Sequence, residues 1–194
     1  MAGAGGGTFA VKAALLAAVA LACLLASWWL GWRFYSASGG YPIWLVPFGN
    51  VSPADLHVLR DLVLQPDRTQ AAVLLFWMYA GPDLILPAAL AGLGMLLLKR
   101  VAPGGHLFRR PVTAANMKAL IAVPVVYALA DYTENALSLA YFCIAAPPAW
   151  VVENAPVLLP WIASFKMSFF CVTVILILRF LLMKRLVPGA GAGR

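Results

Sequence analysis

The chain has 194 residues, 63% of them hydrophobic and only 11% charged, with a mean hydropathy of +0.89. A soluble domain carries about 25% charged residues, so the composition excludes an ordinary soluble fold and predicts an all-α polytopic membrane protein. The net charge of +7 is not a nucleic-acid footprint, because no basic patch is interleaved with aromatics and most cations flank apolar runs, which is the positive-inside pattern.

Residues 1–8 are Gly/Ala-rich and are expected to be flexible. A first span is predicted over about residues 9–32. Ala20-Leu21-Ala22-Cys23 has the outline of a lipoprotein cleavage site, but the apolar run continues to Leu30, too long for a signal core, so an uncleaved span is expected. Ala10, Ala14, Ala18, Ala22 and Ala26 recur every fourth residue and build a small-residue stripe suited to close helix–helix approach. Trp28, Trp29, Trp32 and Tyr35 mark an aromatic belt.

The interval 36–69 is the longest polar stretch. Ser38-Gly39-Gly40-Tyr41-Pro42 reads as a turn, and Ile43-Trp44-Leu45-Val46-Pro47-Phe48 as an interfacial segment too short to span. Ser52-Pro53-Ala54-Asp55 predicts a capped helix start, with Pro53 at the first helical position and Asp55 where a capping-box acid stands. Leu56, Leu59 and Val63 then share a face, which predicts a short amphipathic helix between spans one and two. His57 has no second His or Cys at ligand spacing and reads as a solvated or interfacial side chain.

A second span is predicted over about residues 71–98, with Asp83 near its middle between Gly81-Pro82 and Pro87. Two prolines predict a kink that frees backbone carbonyls. Tyr79 and Asp83 stand one turn apart and could share a hydrogen bond. Lys99, Arg100, Arg109, Arg110 and Lys118 make the following loop the most basic in the chain, predicting a cytoplasmic face with anionic headgroups as plausible contacts.

The third span, about residues 119–144, carries Ala130-Asp131-Tyr132-Thr133-Glu134-Asn135-Ala136-Leu137-Ser138 where lipid should be. Pro124 is expected to bend its first half. Tyr127, Asp131, Glu134, Asn135 and Ser138 follow i, i+3, i+4 and i+7 relations and line one face. Glu153-Asn154 and Pro156 are assigned to the next loop. The fourth span, about residues 158–183, contains Lys166 and, on roughly the same face, Thr173; Arg179 is placed to snorkel to headgroups. Cys23, Cys143 and Cys171 read as small buried hydrophobes, not as a redox pair or metal site. The whole is expected to be one membrane domain with both termini cytoplasmic, since Lys12, the basic loop and Lys184-Arg185 fall on the same side.

On this topology Asp83, Asp131, Glu134, Asn135 and Lys166 reach similar depths, and a Lys166–Glu134 or Lys166–Asp131 pair is geometrically reasonable. Tyr79, Tyr127 and Ser138 are candidate supporting groups. Three carboxylates against one lysine leave a surplus negative charge. Such a surplus calls for a protonated carboxyl or a bound hard cation, for which Asp83, Asp131, Glu134 and Asn135 would make an all-oxygen cluster. Zinc does not suit the set, which has no histidine or close cysteine pair.

Three functions fit: a polar network that fixes helix register, a proton- or cation-coupled transporter or relay, and an enzyme or binder acting on a lipid. No serine, histidine or cysteine nucleophile accompanies the carboxylates, which leaves cofactor and reaction open.

The order Asp83-Leu84-Ile85-Leu86-Pro87, then Asp131-Tyr132-Thr133-Glu134-Asn135, then Lys166 resembles a group of small, mostly bacterial, uncharacterised four-span integral membrane proteins. Those pair a D-L-x-x-P element with a D-x-x-E-N element and a lysine in the last span. The likeness covers roughly residues 50–180. It implies a four-transmembrane-helix bundle with those five residues as one set, in contact with membrane lipid, and brings no reaction with it. A homo-oligomer or a membrane-complex subunit is also compatible, the alanine stripe then packing on the partner.

Overall fold

The computed structural model describes residues 4–41, 51–107 and 110–186. The segment Pro42–Phe48, read as a turn and interfacial stretch, and Arg109 lie outside the described residues. The fold is all-α, and it contains four helices long and apolar enough to cross a membrane.

Helix α1 covers Ala4–Ala37, so the Gly/Ala-rich start continues the helix instead of preceding it. Its inward face is not the alanine stripe. Ala20, Cys23, Gly31, Phe34 and Ser38 are buried, whereas Ala10, Ala14, Ala18 and Ala22 are exposed and Ala26 is half-buried. Phe34 is fully buried, in the cluster that also holds Leu56, Leu59 and Tyr141.

Helix α2 (Pro53–Val63) is the short helix between the first two long ones. It starts as a reciprocal capping box. Ser52 Oγ accepts from the Asp55 amide at 3.2 Å, and Asp55 Oδ2 accepts from the Ser52 amide at 3.0 Å and from the Ser52 hydroxyl at 2.7 Å. These Ser52 donors, the hydroxyl first and the amide second, hold the Asp55 carboxyl below the usual carboxylate range. Leu56, Leu59 and Val63 are buried and join Phe34, Leu75, Tyr141, Phe142 and Leu159 in the largest apolar cluster. Tyr41 donates to the Asp55 carbonyl at 2.7 Å; partial burial, then the neighbouring Asp55 charge, raise its phenol above the ordinary value.

After a single turn at Pro66–Arg68, the second long helix comes in two pieces. Helix α3 (Thr69–Ala80) stops at Gly81 and α4 (Pro82–Val101) restarts with proline at its first position, where a missing N–H costs nothing. A Cβ on Gly81 would stand 2.7 Å from the Trp77 carbonyl oxygen, so the break requires glycine. Pro87 sits inside α4 without ending it. Further along, Gly94 lets α4 approach its neighbours closely: a Cβ there would meet Thr173 at 3.0 Å and Pro124 at 3.3 Å.

The basic loop holds a two-stranded antiparallel ribbon, β1 (His106–Leu107) with β2 (Arg110–Pro111). Arg179 Nη2 donates to the His106 carbonyl at 3.4 Å and Lys184 Nζ to the Arg100 carbonyl at 3.0 Å, tying that loop to the last helix.

Helix α5 (Ala114–Ser138) starts on a Thr113 cap and runs into a π-helical turn, Leu139–Cys143. Arg60 of α2 covers this turn: Nε donates to the Tyr141 carbonyl at 2.9 Å and Nη2 to the Ala145 carbonyl at 3.4 Å. The Tyr141 hydroxyl is in hydrogen-bond contact with His57 Nδ1 at 2.9 Å, so His57, though exposed, is held in place.

Helix α6 covers Ala149–Leu186 and includes Glu153-Asn154 and Pro156, which the sequence assigns to a loop. Val151, Ala155 and Leu159 are buried in the largest cluster, and that packing overrides the helix-breaking tendency of Pro156 and Pro160. The three cysteines are free: Cys23 is buried, Cys143 half-buried, and Cys171 exposed on the outside of the bundle, contrary to the expectation of burial for all three.

Candidate functional site

The site begins with a consequence of proline. Pro87 has no N–H, so the carbonyl four residues back, that of Asp83, loses its helical donor. Asn135 Nδ2 donates to that carbonyl at 2.8 Å. The next carbonyl, of Leu84, accepts from the Tyr132 hydroxyl at 2.9 Å. The spacing Asp83…Pro87 thus creates an acceptor and the stretch 131–135 supplies its donors, so the two elements are one structural unit.

Asp131 and Glu134 lie three residues apart on α5 and point the same way. Lys166 of α6 reaches both: Nζ is 2.6 Å from Asp131 Oδ1 and 2.7 Å from Glu134 Oε2. Side-chain exposure of the three is 10% for Lys166, 9% for Asp131 and 3% for Glu134, so the ion pairs are held away from solvent. The Asp131 contact is a charge-assisted hydrogen bond, the strong class, while the Glu134 contact is an ion pair whose Oε2 makes no hydrogen bond among the described residues. Lys166 therefore bridges the two carboxylates instead of choosing one.

Asp83 is placed differently. Its Oδ1 accepts from the Ser27 hydroxyl of α1 at 2.9 Å, and no cation forms an ion pair with it among the described residues. Tyr79 is not its partner. The Gly81 break separates them, and the Tyr79 hydroxyl lies beside Ser138, which is fully buried one turn beyond Glu134. Tyr127, one turn before Asp131, is buried with its ring 5.6 Å from that of Phe170.

Ser27, Tyr79, Asp83, Tyr127, Asp131, Glu134, Asn135 and Lys166 line one cavity of about 700 Å³. Its floor is Asp83, Asp131, Glu134, Asn135 and Lys166; its walls are apolar, with Leu24, Trp28 and Trp32 from α1, Leu86 and Leu90 from α4, and Met167 and Phe170 from α6. The opening follows from the packing order. Helix α1 packs on α3 and α4, and α6 packs on α5 and α4, with no comparable contact between α1 and α6. The cavity is the cleft left between those two helices.

The all-oxygen cation cluster is not formed. Among the described residues no three acidic, histidine or cysteine side chains converge to hold a metal ion. The reason is that the Lys166 ammonium fills the place between Asp131 and Glu134, while Asn135 turns its amide nitrogen, a donor, toward Asp83.

The sequence reading misses Ser27 and the cleft itself. A lone serine in an Ala/Leu-rich helix has no spacing signal, and only the packing of α1 on α4 shows that Ser27 faces Asp83. Compared with protein-family models, with curated proteins and with solved structures, the chain gives no match.

Proposed function

We propose that this chain is a multi-pass integral membrane protein that binds an amphipathic lipid in the cleft between α1 and α6. The resemblance to small four-span bacterial membrane proteins is proposed on the same residues. The observation that carries the reading is the cleft of about 700 Å³ with apolar walls and a polar floor. Pockets for small amphipathic molecules have this make-up, a largely hydrophobic lining with a few placed polar groups, and bundles build them between helices. A cleft between two long apolar helices opens sideways, toward acyl chains, so a lipid enters without leaving the bilayer.

The transport-like reading has less support. Toward the basic end the next cavity, of about 180 Å³, is lined by Leu90, Leu93, Gly94, Leu97 and Pro124, with Thr173 and Tyr127 its only polar side chains. Thr173 spends its hydroxyl on the Phe169 carbonyl at 2.9 Å. A relay needs polar groups to continue along the path, and here they end at the cleft.

Native mass spectrometry of the protein released in mild detergent tests the reading. A lipid-sized adduct is expected on the wild type and is expected to vanish in Leu86→Trp, which fills the cleft from one wall. A bare wild type, or an adduct retained in full by Leu86→Trp, would sink the proposal.

A further inference from the structure

The floor of the cleft is not electrically balanced, and the imbalance points outward to the ligand. Lys166 is ion-paired with both Asp131 and Glu134, at 2.6 and 2.7 Å. With both carboxyls ionised, that group has one negative charge more than positive. Asp83 adds another carboxyl group on the same floor, its Oδ1 accepting from the neutral Ser27 hydroxyl. Taking a carboxylate even partly out of water is costly without a cation or several donors, and Asp83 is half-buried. The fold supplies neither at Asp83, yet it builds an accessible cleft directly over it.

We infer that the lipid taken by this cleft carries a basic amine in its headgroup, and that Asp83 is the residue that selects it. This rests on the lipid-binding reading above. An ammonium entering from between α1 and α6 meets in Asp83 a carboxylate with no ion-pair partner among the described residues, while Leu24, Leu86 and Phe170 receive the chain. A protonated amine offers up to three donors, and hydrogen bonds to charged groups are the stronger class. An anionic headgroup would meet a floor of surplus negative charge, which costs binding. The preference is opposite in sign to the chain as a whole: a net charge of +7 favours anions at any non-specific surface site, so selection of a cation isolates the cleft.

The test uses the full-length protein in a non-ionic detergent and three probes of one chain length: octadecylamine, octadecanol and octadecanoate. Binding is read as bound fraction by native mass spectrometry at equal probe concentration. The amine is expected to bind about tenfold tighter than the alcohol, the worth of one charge-assisted hydrogen bond, and the carboxylate weakest. Asp83→Asn is expected to bring amine and alcohol together; its backbone carbonyl remains for Asn135, so the helix contact survives. Ser27→Ala keeps the carboxylate and is expected to keep the amine preference. Equal binding of amine and alcohol by the wild type overturns the inference and leaves the lipid-binding reading standing, as does an amine preference that persists in Asp83→Asn. Preference for the carboxylate overturns it too. Binding of none of the three overturns both. If Asp83→Asn does not fold, the wild-type series still tests the amine preference, and Asp83→Ser, expected to lose that preference, tests the assignment to Asp83.

Discussion

At the scale of single residues the fold turns on one exchange: Pro87 vacates the Asp83 carbonyl and Asn135 fills it. Asn135→Ala should leave a buried carbonyl unsatisfied and lower stability by about 1–3 kcal/mol. Pro87→Ala restores an amide at position 87, which can close the helical bond to Asp83. In that background Asn135→Ala should cost much less, and the difference between the two losses is the coupling energy. Thermal unfolding in detergent of the four proteins measures it; equal losses in both backgrounds would show that Asn135 acts elsewhere. The lysine gives a second prediction. Lys166→Met leaves Asp131 and Glu134 facing each other without their cation and should cost about 3–5 kcal/mol. Adding Asp131→Asn and Glu134→Gln removes the stranded charges and should recover most of that loss, measured in the same way. These contacts were half legible in the sequence. Asp131 and Glu134 share a face by counting along one helix, and Lys166 meets them by counting depth on its neighbour. That Lys166 takes both, and that Asn135 serves a backbone atom and not a ligand, depends on distances no spacing encodes.

Whole helices were easier to foresee than their rotations and breaks. Four long apolar runs and the capped start at Ser52-Pro53-Ala54-Asp55 are properties of local sequence, and the capping box forms as its residue types dictate. The facing of α1 is not local: a stripe of alanines fits equally well against a helix or against lipid, and the packing of α1 on α3 and α4 decides. Nor is the break at Gly81, since two prolines mark a disturbance without saying which peptide yields. Gly81→Ala should therefore destabilise the protein by about 1–3 kcal/mol, as overpacking against the Trp77 carbonyl forces the backbone to shift. A matched Gly7→Ala, where a Cβ meets nothing within 4 Å, should not. The α2 start gives a pH prediction. Asp55 is held below the ordinary carboxylate value, so its contribution is fully present above the unfolded-state value of about 3.9 and is lost as pH falls through the lower folded value. Hydrogen-exchange protection factors of the first amides of α2 should drop in that acid window, and should already be low, with little pH response, in Asp55→Asn.

For the molecule as a whole, the distribution of charge predicts a direction that packing alone does not. Lys99, Arg100, Arg110, Lys118 and Lys184 gather at one end of the bundle, where the β1–β2 ribbon is tied to α6. None of the seven acidic residues of the chain belongs to that end. Asp55, Asp61, Asp67 and Glu153 lie toward the opposite end, with α2 and the start of α6, and Asp83, Asp131 and Glu134 lie in the cleft. Lysine and arginine near the ends of spans bias those ends to the cytoplasm. The basic end, and with it both termini of a four-span chain, should therefore be cytoplasmic, and α2 should lie on the far side. Two single cysteines test this in a background with Cys23, Cys143 and Cys171 changed to alanine. Gln65 and Ala115 are both exposed, one after α2 and one in the first turn of α5. A membrane-impermeant maleimide should label Gln65→Cys in intact cells and Ala115→Cys only after permeabilisation. The reverse pattern would invert the orientation while keeping the spans. Labelling of both in intact cells would mean that the segment between them, α3 and α4 with the break at Gly81, does not cross the membrane, and the lateral cleft would then have no bilayer to open into.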